Sequence, residues 1–66
     1  MRILTDNDRM PFGKFKDERM IDIPASYYHY LWTNGMKNEA GTNPVANYIA
    51  RSLSALREEY KDGIWN

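Results

Sequence analysis

From Asn43 onward the sequence spells out one amphipathic helix, and that helix limits what the rest of the chain can do. Val45, Tyr48, Ile49, Ser52, Leu53, Leu56 and Tyr60 recur at helical spacing over four turns, while Asn47, Arg51, Ser54, Glu58 and Lys61 fall opposite. Asn43 is a strong N-cap, and Pro44 suits the first helical position, where a missing N–H breaks no intrahelical bond. The pattern predicts a helix over about 44–62, capped by Gly63, with Ile64-Trp65 folding back as an apolar tail. Such a stripe must be covered by what remains of a 66-residue chain. A chain this short sits near the lower limit at which one core outweighs backbone entropy. It has no cysteine to staple it, so its large apolar side chains, rings above all, must be buried.

A second helix is expected over about 24–34, with Pro24 in its first turn and Gly35 as its stop. Asp22 lies just ahead, where the positive end of the helix dipole favours an acid. Tyr27, Tyr28 and Leu31 form a stripe with Tyr30 and Trp32 on its flanks, so this helix needs contact on more than one side. Residues 35–42 read as a polar loop. Ahead of both helices, Ile3-Leu4 is a short apolar pair and Thr5 to Asp8 a turn.

The stretch Met10-Pro11-Phe12-Gly13-Lys14-Phe15-Lys16 is the most individual part of the chain. Phe12 and Phe15 favour strands, and Gly13 supplies the positive φ that a tight turn needs. Met10 and Phe12 share one strand face whereas Phe15 has opposite parity, which fits a reversal at Gly13-Lys14. The expectation is a β-hairpin over about 9–18, with Pro11 confining its strand to an edge. The predicted fold is α+β: a small β-hairpin packed on two helices, residues 1–66 forming a single small domain.

Nine basic and nine acidic residues cancel, which argues against a generally basic nucleic-acid binder but permits a local patch. Absence of cysteine excludes disulfides and thiolate metal sites, and one histidine without clustered carboxylates predicts no metal. No run approaches ~20 apolar residues, so a cytoplasmic protein that makes no use of a membrane is expected. Ser26, Ser52 and Ser54 lie in helical patterns without the strand-to-turn setting that activates a nucleophile. His29 has no Ser, Cys or acid beside it in sequence. A non-enzymatic chain without a cofactor is therefore expected.

Met10 to Lys16, followed by Met20, Asp22-Ile23-Pro24 and Tyr27 to Leu31, resembles a family of short bacterial proteins labelled putative quorum-sensing-regulated virulence factors. It is also similar to the small module at the C-terminus of exodeoxyribonuclease X-type proteins. The resemblance covers residues 9 to about 32, and the last helix only in general terms. It implies that such a module can accompany a DNA-processing domain, none of which is in this chain. Two positions depart from the family pattern. Asp17 stands where that pattern has glycine, and His29-Tyr30 stand where it has an apolar residue and a tryptophan.

Two candidate sites follow. Arg9, Phe12, Gly13, Lys14 and Lys16 form a basic, ring-bearing stretch suited to nucleic acid or an acidic protein. The plainer alternative makes Gly13 a turn, the phenylalanines core, and the lysines guards of an edge strand. Tyr27, Tyr30, Trp32 and Trp65 are the candidate interface for a partner or for a homodimer, because Tyr and Trp dominate interface hot spots. Here the alternative is ordinary core. Glu58, Glu59 and Asp62 lie among Arg57 and Lys61 and read as a solvated, ion-paired face.

Overall fold

The computed structural model describes residues 2–65, and among them it is helical. Helix α1 spans Ala25–Thr33, α2 Pro44–Arg51 and α3 Leu53–Glu59, with 3-10 turns at Met20–Asp22 and Met36–Asn38. Each of the three helices packs against the other two.

The expected α+β fold with its β-hairpin is overturned. No strand occurs among the described residues; a single antiparallel bridge pairs Arg9 with Arg19. The segment between them is a loop, and its hydrogen bonds show why no ladder grows. At its base the Met10 N–H donates to Glu18 O and the Met20 N–H to Asp8 O, both at 2.8 Å. Inside it the N–H groups turn to near neighbours, Lys16 to Gly13 O at 3.1 Å and Glu18 to Phe15 O at 3.0 Å. Pro11 has no N–H to give. Groups engaged in consecutive turns cannot also bridge two strands. The loop is instead held by Met10 and Met20, both fully buried at its two ends.

Helix α1 starts one residue later than Pro24. The proline takes an extended ψ of 143° as N-cap, and its carbonyl accepts from the Tyr27 N–H at 3.0 Å. Asn43 caps α2 through its side chain, which accepts from the Val45 and Ala46 N–H groups at 2.9 and 3.4 Å. The long helix expected over 44–62 is two. Ser52 leaves helical geometry at φ −102°, ψ 10°, yet its N–H still reaches Tyr48 O at 3.0 Å. Helix α3 ends at Glu59 because the tail claims the Tyr60 carbonyl, which accepts from the Trp65 indole at 3.2 Å. Gly63 lacks the positive φ of a helix cap. It is needed for close approach, since a Cβ there would lie 2.6 Å from His29 Cδ2 and 2.7 Å from the Tyr60 ring.

The core joins Leu4, Ile23, Tyr28, Val45, Ile49 and Leu56 with the two methionines and Trp65. Three polar links fasten the N-terminal segment to it. Tyr28 Oη donates to Met20 O at 2.7 Å, Tyr48 Oη donates to Asp6 Oδ1 at 2.8 Å, and Arg51 donates to Leu4 O. Burial, then the hydrogen bond to Asp6 and its charge, push the Tyr48 phenol from 10.0 up to about 12. Burial, with smaller contributions from Tyr48 and Asp6, also raises Tyr28. A raised folded-state pKa favours the neutral phenol. Its stabilisation is complete below the free value of 10.0 and is lost as pH rises toward 12. Denaturant melts should therefore show stability falling steeply above pH 10, and Tyr48→Phe, though less stable at neutral pH, should show a shallower alkaline fall. Equal alkaline slopes in the two proteins would show that folding does not raise the Tyr48 phenol above its free value.

Candidate functional site

The loop 9–19 keeps its shape through two left-handed residues and one strap. Gly13 has φ 83° and Asp17 has φ 71°. The Asp17 N–H donates to Met10 O at 2.9 Å, and its carbonyl accepts from Arg9 Nη1 at 2.7 Å. Position 17, where the resemblance places glycine, thus needs a backbone conformation that glycine enters freely and aspartate only with strain. Asp17→Gly should raise stability by about 0.5–1 kcal/mol, the Cβ penalty removed less the entropy glycine adds to the unfolded chain. A thermal melt shows this as a rise of several degrees; a fall would mean that the carboxylate itself stabilises the turn.

Gly13 meets helix α1 closely, for a Cβ on it would stand 2.5 Å from Tyr27 Oη. Beside it, Phe15 packs its ring against Tyr27 at 4.8 Å between centroids and 67° between planes. Tyr27 in turn stacks near Tyr30 at 6.2 Å and 26°. Lys14 Nζ lies 5.6 Å from the Phe15 centroid, within reach of a cation–π attraction. A ladder of rings therefore runs from the loop onto α1, with an ammonium at its head. It ends at Tyr30, which is 59% exposed. Arg9, Phe12 and Lys16 are exposed on the same loop.

Parts of two separately expected sites are thereby one surface: Gly13 and Lys14 from the loop, Tyr27 and Tyr30 from α1. Phe15, read from sequence as a hairpin strand residue and as core only in the plainer alternative, is the half-buried link. Nothing in the sequence signals its contact with a ring twelve positions away, because the path between them is irregular loop. Trp32 and Trp65 do not join this surface. Both are buried, with Trp32 Nε1 donating to Trp65 O at 2.7 Å. His29 stands between Tyr60 and Trp65, its ring centroid 5.1 and 5.0 Å from theirs, with Nε2 3.0 Å from Ile64 O. It belongs to the clasp on the tail.

Among the described residues no group of His, Asp or Glu is placed to hold a metal ion, and no helix is long and apolar enough to cross a membrane. No curated protein and no solved structure matches the chain, and the resemblance to the exodeoxyribonuclease X-type module is not shown. A family model described as "Putative quorum-sensing-regulated virulence factor" matches residues 2–43, a span that takes in the loop 9–19 and all of α1, and the chain belongs to that family.

Proposed function

We propose that this chain is a non-enzymatic binding module that holds single-stranded nucleic acid on the surface shared by loop 9–19 and α1. The observation that carries this reading is the Lys14–Phe15–Tyr27–Tyr30 ladder, a cation leading into rings that end in solvent. Lysines suit phosphates and exposed rings suit unpaired bases, a pairing that tolerates any sequence because every base has a π-face. With no net charge the chain has little long-range attraction for a polyanion, so affinity must come from this patch. Arg9 acts mainly as the strap that fixes the loop, and Lys16 adds charge beside it. A cytoplasmic location goes with this reading.

Fluorescence anisotropy with labelled single-stranded DNA and RNA tests the proposal. Binding should weaken with salt, and Lys14→Glu/Lys16→Glu should lower the salt slope by about 1.4, two contacts at about 0.7 each for single strands. Tyr30→Ala should weaken binding by about 1–3 kcal/mol, the contribution of one stacked base. The lysine variant should melt like the wild type, since its side chains are exposed, and Tyr30→Ala should stay folded and melt only a few degrees lower, having lost its stack on Tyr27. No binding at low salt would overturn the reading. A second reading rests on the exposure of Tyr30: the same face mates with another copy of the chain. Sedimentation showing a dimer that Tyr30→Ala splits, together with no nucleic-acid binding, would favour it.

A further inference from the structure

A concavity lies between the Met20–Asp22 turn and the junction of α2 with α3. Its volume is about 310 Å³, and it shares no residue with the Phe15–Tyr27–Tyr30 ladder. The floor is apolar, with Met20, Ile23 and Leu56 buried beneath it. The lining includes Ile21, which is 55% exposed, and Ala55 on α3. The lining also carries Asp6 and Glu59 against a single cation, Arg51. That guanidinium is already engaged, donating through Nε to Asn47 Oδ1 at 2.7 Å and through Nη2 to Leu4 O. Asp6 gives one oxygen to Tyr48, whereas the Glu59 carboxylate has no hydrogen bond or ion pair among the described residues.

We propose that this cleft binds an organic cation, a primary ammonium on an aliphatic stem, supplied by a free alkylamine or by a lysine side chain. The stem covers Ile21 and Ala55 while the ammonium meets the Asp6 and Glu59 carboxylates. Area and charge select together. An aliphatic acid gains the same apolar contact but meets an excess of negative charge, and a bare cation has nothing to lay on Ile21. A volume of this size admits a stem of several carbons and excludes a macrocycle.

The test is titration of the isotope-labelled full chain, followed by its amide NMR signals, with n-hexylamine, n-hexanol and hexanoate at neutral pH. The amine should shift the Asp6, Ile21, Ser52 and Glu59 amides saturably. Hexanol should bind about fivefold more weakly, what one partly solvated ion pair supplies, and hexanoate more weakly still. Ala55→Trp, at an exposed wall position, should abolish these shifts while leaving the thermal melt unchanged. If that variant unfolds, Ile21→Ser serves, with the same expected loss. N-acetyl-lysine methylamide separates the sources: affinity matching hexylamine points to a lysine side chain, weaker affinity to a free amine. Absence of saturable shifts, equal binding of all three six-carbon compounds, or unaltered binding in a folded Ala55→Trp protein would overturn the proposal.

Discussion

Trp65→Ala should leave most molecules unfolded at room temperature. Removing a buried tryptophan costs about 3–5 kcal/mol, and a core of this size supplies stability of about that order. Trp65 is 5% exposed and sits in a clasp built by α1 and the end of α3. Its indole donates to Tyr60 O at the end of α3, its carbonyl accepts from Trp32 on α1, and its ring meets the edge of His29. Alanine keeps the carbonyl acceptor but abandons the cavity and leaves the Tyr60 carbonyl without the indole. Trp65→Phe retains most of the area and loses only the indole hydrogen bond, so it should fold with a lowered Tm. Circular dichroism melts of both variants check this. A Trp65→Ala protein that melts within a few degrees of the wild type would show that the tail contributes nothing to the core.

Gly13→Ala is the second substitution with a large expected effect, and its two causes can be separated. The left-handed φ of 83° alone costs an L-residue about 1–2 kcal/mol. The added methyl also meets Tyr27 Oη, so the tyrosine must shift away from Phe15 and Tyr30. We expect a total loss of about 2–3 kcal/mol, strain plus disturbed ring contacts worth about 0.5–1.5 kcal/mol. In a Tyr27→Phe background the hydroxyl is gone, and the same change should cost only the backbone part. Denaturant melts of the four proteins in this cycle give the coupling directly. Additivity would mean that loop and helix do not press on one another at Gly13. Gly13→Ala should also weaken ligand binding beyond its effect on folding, because the displaced Tyr27 is the middle ring of the ladder.

What the sequence reveals and what it hides divide along the range of the interactions. The start of α2 is legible because Asn43-Pro44 solves a local problem, the unsatisfied N–H groups of a first turn, with adjacent residues. The end of α1 near Gly35 is legible for a similar reason. The hairpin expectation fails on a local tie between two outcomes. Phe12-Gly13-Lys14-Phe15 suits a tight reversal in either a strand pair or a chain of turns. The choice is made by Asp17, whose left-handed backbone turns the return strand into a second reversal. The bend at Ser52 has no proline or glycine to announce it, and the periodicity of Ile49 and Leu56 runs through it undisturbed. Trp32 and Trp65 look like interface residues by type, yet both are buried, the Trp32 indole donating to Trp65 O over 33 positions of sequence and the Trp65 indole to Tyr60 O. The surface itself is half legible. Its lysines and glycine stand out in one stretch and its tyrosines in another, but their union through Phe15 is tertiary.

The central claim is that loop 9–19 and α1 act as one recognition surface. The most direct test follows the amide NMR signals of the full chain while a short oligothymidylate is added at low salt. The account predicts that signals from residues 13–16 and from 27–30 shift together, along one saturation curve, and that Tyr30→Ala weakens both sets equally. Shifts confined to the loop, or no shifts at all while the chain remains folded, would contradict it.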